Sequence, residues 1–194
     1  ISDFVNPGSD NLIVVRVDAS KFEGWWYEGA GIYRHVWLEL FSPLHFAEYG
    51  VALRPVLSKS FDKAQIYVSY DVENDLELPS DFSLTTEIFS PSGTLVATSC
   101  PINARLSSGE ALKFETSLSL LNPELWDIDT PRMYKAKSYI ISGRDTLDVL
   151  TEKFGIRDIR VSADSGLFLN GRNIRIKGVC CHQDHAGIGT ALPD

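Results

Sequence analysis

Short runs of alternating apolar and polar residues, separated by turn signals, fill most of the chain between residues 47 and 159. In Ile66–Val72, for example, every second side chain is apolar, which is the two-residue period of a β-strand with one buried face. Such runs occur at residues 49–57, 64–73, 83–89, 95–99, 112–118, 134–142 and 146–155. Turn-forming stretches such as SPSG, SSGE and ISGRD lie between them.

Seven short strands in about a hundred residues are typical of an immunoglobulin-like β-sandwich. No segment shows a sustained helical period, so we expect an all-β fold in which this sandwich carries partial flanking segments. The cysteine pair that links the two sheets of antibody domains is missing from the chain, so burial of apolar side chains must hold the sheets together.

The N-terminal region carries two further runs with strand character, LIVVRV at residues 12–17 and HVWLEL at 35–40. A first strand without partners implies that sequence is missing upstream. Between the two runs, Trp25, Trp26 and Tyr27 form an aromatic loop. Aromatic rings suit the faces of sugars, but they equally fill the core of a domain junction. A stand-alone carbohydrate-binding or interaction module, and a purely structural spacer, therefore stay open as alternatives.

The charge balance of the chain argues against two classes of partner. Its formal net charge is -8, and no stretch concentrates lysine and arginine enough to neutralise a phosphate backbone or an anionic membrane. No apolar run reaches the roughly 20 residues that cross a bilayer, and no signal peptide is visible. Three cysteines cannot build a disulfide framework. The compartment stays open, the periplasm and the exterior included.

The C-terminal seventeen residues hold the densest set of chemically capable side chains. An alternating run at residues 173–177 leads into them, and His182, Asp184 and His185 follow within a few positions. Three such side chains in one short segment rarely converge on a single ion, so we expect no metal site and no cofactor. Cys180 and Cys181 precede the histidines and are expected to be free thiols.

Several motifs taken in order resemble glycoside hydrolase family 2, the β-galactosidase, β-glucuronidase and β-mannosidase group. They are GAGIYRHVWL at 29–38, NPELW at 122–126 with PRMY at 131–134, EKFGIRDI at 152–159, LFLNGRNIRIKGV at 167–179 and HQDHAGIG at 182–189. The HQDHAG run is most similar to the β-galactosidase-like members.

The resemblance implies a division into three parts. Residues 1–46 would be the C-terminal end of a jelly-roll sugar-binding domain, residues 47–159 a complete immunoglobulin-like sandwich, and residues 160–194 the incomplete entry to a (β/α)8 catalytic barrel. The two catalytic glutamates of the family lie on later barrel strands and are absent from this sequence. We therefore expect a non-catalytic scaffold fragment of a retaining exo-β-glycosidase, with the carbohydrate substrate and the rest of its own chain as its partners.

By the same resemblance His182 corresponds to the family's histidine near the sugar hydroxyls, with Asp184 and His185 beside it. A hydrogen bond from this position would strengthen as the oxocarbenium-like transition state forms. These three residues are the expected substrate-binding set, and no catalytic residue is assigned. The alternative is that the two histidines only organise their loop.

Overall fold

The computed structural model describes residues 1–18, 20, 31–32 and 35–180. Contacts divide the chain into two compact units, Ile1–Leu38 with Val179–Asp194, and Glu39–Gly178. In the first unit the described residues include a short 3-10 helix at Ser2–Phe4. The predicted strands at residues 12–17 and 35–40 are wrong, because neither stretch forms a ladder in the structure. The three-part domain division suggested by the resemblance stays a prediction.

All strands of the second unit pair in the antiparallel direction. They are β1 (Leu44–Leu57), β2 (Lys63–Asn74), β3 (Ser80–Phe89), β4 (Leu95–Thr98), β5 (Ile102–Leu106), β6 (Ala111–Leu121), β7 (Tyr134–Ser142), β8 (Asp145–Phe154), β9 (Ile159–Ser162), β10 (Gly166–Leu169) and β11 (Arg172–Ile174). All seven predicted strands are present; β7 has the predicted bounds, and the other six are shifted at one end or both. The sequence analysis missed β5.

Two of the sheets form a sandwich. One has the order β1-β2-β6, and the other has the order β4-β3-β7-β8 with β5 also paired to β3. The all-β, immunoglobulin-like prediction is confirmed, and the described residues contain no α-helix. Within the described ranges, no helix has the length and apolar character needed to span a bilayer. A third, small sheet of order β11-β10-β9 follows the sandwich along the chain.

The core lies between the two large sheets, where the apolar side chains of alternate strand positions meet. In β2 the predicted alternation is confirmed, because Ile66, Val68, Tyr70 and Val72 are buried and the residues between them are not. Leu84, Ile88 and Ile140 face them from the opposite sheet and are fully buried. The last described member of this core along the chain is Ile156, two residues beyond β8.

Candidate functional site

The residues expected to bind substrate, His182, Asp184 and His185, lie outside the described part of the chain, and so do Trp25, Trp26, Tyr27 and Cys181. The structure therefore does not test these predictions. It does describe the path by which the chain leaves the sandwich and runs toward His182. We call the contacts along this path the exit junction, formed by Phe61, the 122–134 loop, residues 155–158 and the β10–β11 turn.

The hydroxyl of Tyr134 anchors the start of the 122–134 loop. The backbone N–H of Glu124 donates a hydrogen bond to the Tyr134 hydroxyl at 2.8 Å. Burial raises the pKa of this hydroxyl above its ordinary value, and the carboxylate of Glu124 adds to the effect. The Tyr134 ring also packs against Phe154, with 5.7 Å between ring centroids. Tyr134 therefore has a structural role at the start of β7.

Trp126 connects this loop to the residues that follow β8. Its backbone N–H donates to the carbonyl oxygen of Ile156 at 2.8 Å. A Cβ at Gly155 would lie only 2.9 Å from the Cβ of Trp126, so only glycine leaves room for the indole there. The Arg157 guanidinium lies 4.5 Å from the centre of the ring, close enough for a cation–π contact.

These contacts give a physical reason for each residue of FGIR, the stretch at 154–157 in the centre of the EKFGIRDI motif. Phe154 covers Tyr134 and Gly155 makes room for Trp126. Ile156 fills the end of the core with no exposed surface, and Arg157 covers the indole. The motif therefore fixes the direction in which the chain leaves the sandwich.

Asn170 joins the small sheet to the sandwich. Its side-chain amide nitrogen donates to the carbonyl oxygen of Trp126 at 2.9 Å, and its side-chain oxygen accepts from the backbone N–H of Asp158 at 3.0 Å. The Asn170 N–H donates back to the Asp158 carbonyl at 2.9 Å. Asn170 and Gly171 have φ values of 49° and 76°, as a two-residue Asn-Gly hairpin turn requires.

Further contacts hold the same turn from two sides. The Arg172 guanidinium donates to the Asp127 carboxylate at 2.6 Å. From the β1–β2 turn, Phe61 points its ring toward Gly171. Three of the four described non-glycine residues with positive φ, namely Phe61, Asn122 and Asn170, belong to this junction. A positive φ is strained for L-residues other than glycine, so this backbone conformation persists only where surrounding contacts hold it.

A second polar cluster lies at the start of β1. His45 is buried, its Nε2 lies 3.6 Å from the Glu73 carboxylate, and its ring stacks on Phe41. Its Nδ1 has no hydrogen-bond partner among the described residues. Next to it, the Phe46 N–H donates to Asp148 on β8 at 2.9 Å. No signal in the sequence pointed to the Phe46–Asp148 pair, because residues 46 and 148 meet only in the fold.

The described residues of the exit junction hold neighbouring segments of the chain in place. No three His, Cys, Asp or Glu side chains within the described ranges lie close enough to hold a metal ion. Cys100 and Cys180 are exposed free thiols. The NPELW and PRMY motifs contain Trp126 and Tyr134, but the sequence analysis missed Arg157, Asn170 and Arg172 as junction residues. The Asn-Gly pair was the only local signal for any of these three.

Comparisons with known proteins agree with the motifs. The model of the family described as glycosyl hydrolases family 2 matches residues 45–157. A β-galactosidase of Bacteroides ovatus is 31% identical over 99% of this chain and 22% of its own length. A β-glucuronidase of Bacteroides fragilis is 29% identical over 99% of this chain and 29% of its own.

Solved structures give the same picture. A family 2 member from Bacteroides cellulosilyticus superposes with a TM-score of 0.78 at 31% identity, covering 87% of this chain and 23% of that one. A β-glucuronidase of Bacteroides uniformis gives a TM-score of 0.71 at 31% identity, covering 78% and 19%. The chain thus spans less than a third of the length of each of these relatives. The family match extends over more than half of the residues, and the chain belongs to glycosyl hydrolase family 2.

Proposed function

We propose that residues 1–194 are the scaffold portion of a longer retaining exo-β-glycosidase that removes terminal β-linked galactose from carbohydrates. Family membership and 31% identity to a β-galactosidase support the reaction class and the sugar. The short span relative to that enzyme, 22% of its length, supports the scaffold role. We further propose the division into residues 1–46, 47–159 and 160–194 that the resemblance implies.

The observation that carries the scaffold role is the exit junction. A retaining glycosidase needs two carboxyl groups about 5 Å apart across the scissile bond, and a misplacement of about 1 Å in such a site can cost about 100-fold in rate. The junction ties the chain that runs toward residue 182 to the sandwich through Trp126, Arg157 and Asn170. The sandwich would thereby hold the entry to the catalytic domain in place.

His182, Asp184 and His185 form the proposed substrate-binding set. A neutral histidine can donate or accept a hydrogen bond to a sugar hydroxyl, and such a bond stabilises the transition state more than the ground state. In the extended enzyme, His182→Ala should lower kcat/KM about 100-fold or more. Gln183→Ala serves as the neighbouring control. Unchanged kinetics for His182→Ala would remove the residue from the substrate-binding set.

The decisive experiment is hydrolysis of a panel of nitrophenyl β-glycosides. The 194-residue chain is compared with the same chain extended through a complete downstream catalytic domain. Activity on the β-galactoside in the extended protein only is the expected result. Turnover by the 194-residue chain itself would contradict the scaffold role and direct attention to Asp184 and the two histidines.

A second candidate sugar is glucuronic acid, because β-glucuronidases of two Bacteroides species are among the relatives. The same panel separates the candidates, since cleavage of the β-glucuronide without the β-galactoside would replace our assignment. A non-catalytic carbohydrate-binding module is the remaining alternative. It predicts that Trp25→Ala with Trp26→Ala abolishes retention of the 194-residue chain on immobilised glycans.

A further inference from the structure

A groove on the outer face of the sandwich concentrates lysine side chains. It lies between the β3–β4 turn and the start of β7, and Phe89, Pro91, Met133, Lys135, Lys137 and Lys153 line it. We call it the lysine groove. Three of the eight lysines of a chain with net charge -8 therefore face one depression.

Strand geometry forces this arrangement. Tyr134, Ala136 and Ser138 are buried, so the side chains of Lys135 and Lys137 point to the outer face of the sheet. Lys153 of β8 is the direct cross-strand partner of Lys135. Like charges placed opposite each other on antiparallel strands destabilise a sheet. A sequence that keeps such a pair breaks a local rule, and such breaks concentrate at functional sites.

No carboxylate in the described part of the chain forms an ion pair with Lys135 or Lys153. None of the three lysines forms an ion pair with a described residue. Glu87 is the cross-strand partner of Lys137, but it accepts a hydrogen bond from the Tyr139 hydroxyl at 2.8 Å. The Lys137 ammonium lies instead 5.4 Å from the centre of the Phe89 ring. The groove thus presents ammonium groups that form no ion pair with a described residue, beside apolar atoms.

One wall of the groove is built in advance. The β3–β4 turn is closed by hydrogen bonds from Gly93 N to Ser90 O at 2.9 Å and from Ser90 N to Thr94 O at 2.8 Å. The hydroxyl of Ser90 also accepts from the N–H of Thr94 at 3.1 Å. A ligand entering the groove would therefore meet a preorganised surface, which limits the entropy lost on binding.

We propose that the lysine groove binds a carboxylated saccharide, such as a uronic acid unit of an oligosaccharide. The ammonium groups would pair with the carboxylate, and the faces of Phe89, Pro91 and Met133 would contact the C–H face of the pyranose ring. The groove has a volume of about 480 Å³, which lies within the range of small-molecule sites. This binding site is additional to the proposed catalytic function and independent of it.

The test titrates the 194-residue chain with digalacturonate, with the corresponding neutral galactose disaccharide and with an acidic hexaglutamate peptide, followed by calorimetry and amide chemical shifts. Digalacturonate should bind and shift amides of the β3–β4 turn, whereas the neutral sugar should not. Salt at about 1 M, where the Debye length falls to about 3 Å, should weaken this binding strongly.

The double variant that combines Lys135→Gln with Lys153→Gln should weaken digalacturonate binding at least tenfold. It should also raise the melting temperature, because it removes the like-charge contact. Lys59→Gln, on the exposed β1–β2 turn, is the matched control and should change neither quantity. Equal binding by the double variant, absent binding of digalacturonate, or tighter binding of hexaglutamate would each overturn the proposal. In the extended enzyme the double variant should retain its kcat on nitrophenyl glycosides, so failure here leaves the proposed function untouched.

Discussion

At the residue scale, a chain of buried hydroxyl groups joins the two sheets of the sandwich. The Tyr70 and Thr86 hydroxyls lie 2.6 Å apart, and Thr86 lies 2.7 Å from the Ser138 hydroxyl. The Thr86 N–H donates to the Ser99 hydroxyl at 2.9 Å. Each hydroxyl of this network has a hydrogen-bond partner, as buried polar groups require. The network therefore ties β2 to β3 and β7 at one register.

The Tyr70 hydroxyl predicts how stability depends on alkaline pH. Burial raises the pKa of Tyr70 above its ordinary value of 10.0. The folded state thus prefers the protonated phenol, and the stabilisation is complete below pH 10 and is lost as pH rises through the folded pKa. Urea unfolding from pH 8 to 12 should show this loss, and Tyr70→Phe should reduce it.

The same variant should cost about 1–2 kcal/mol at neutral pH, because one hydrogen bond in the core is lost. Tyr49→Phe is the control, since Tyr49 is exposed. An alkaline profile that is identical for Tyr70→Phe and for the unmodified chain would contradict the assignment of the pH dependence to this hydroxyl.

Gly155 gives a second prediction at this scale. A Cβ there would lie 2.9 Å from Trp126, so Gly155→Ala should lower the free energy of unfolding by about 1–3 kcal/mol through overpacking. Gly178→Ala meets no heavy atom within 4 Å and serves as the matched control. Equal melting temperatures for the two variants would show that Trp126 can move aside without loss.

Some residue roles could be foreseen and others could not. Alternation places Ile66, Val68 and Val72 in the core because the period of a strand is local. The approach of Gly155 to Trp126 joins positions 29 residues apart, and no local pattern reports it. The partnership of Asp148 with Phe46 is equally hidden, because it depends on how β1 and β8 meet.

At the element scale, strands are predictable where a neighbouring strand completes them. β7 matches its predicted range, and it is paired on both sides by β3 and β8. Residues 12–17 and 35–40 have equally strong strand composition but are exposed and form no ladder with a described residue. Composition alone does not make a strand, because each backbone group needs a partner.

The small sheet gives the prediction at this scale. Asn170→Gly keeps the left-handed backbone accessible but removes both side-chain hydrogen bonds of the junction. Amides of β10 should therefore exchange faster, corresponding to a loss of about 1–3 kcal/mol. Asn170→Ala should lose roughly 1–2 kcal/mol more, because alanine is strained at a φ of 49°.

Arg172→Gln is the comparison for that experiment. Its ion pair with Asp127 is half exposed, so its removal should cost about 1 kcal/mol or less. If the Asn170 variants exchanged no faster than Arg172→Gln, the small sheet would be held to the sandwich by contacts other than the Asn170 amide.

At the scale of the whole molecule, the sandwich core is complete within a limited stretch of the chain. Among the described residues, all its buried members lie between Leu44 and Ile156. Deleting residues 1–38 should therefore leave the melting temperature of the sandwich unchanged. Deleting residues 1–46 removes the fully buried Leu44 and Phe46 and should cost about 4 kcal/mol or more.

Thermal unfolding followed by circular dichroism distinguishes the two deletions. A folded, equally stable domain after removal of residues 1–46 would place the start of the sandwich where the resemblance puts it. A large loss already on removal of residues 1–38 would show that the N-terminal unit contributes to the stability of the sandwich.

The position of Ile156 as the last core residue also bears on how the protein is made. Translation adds roughly 5–20 residues each second and domains fold as units, so the 44–156 stretch is synthesised on the order of ten seconds. Once β8 and Ile156 have left the ribosome, the sandwich can close while residues after His182 are still being added. Its apolar faces are then covered before the proposed downstream catalytic domain could compete for them. A chaperone would need to protect this region only until that point.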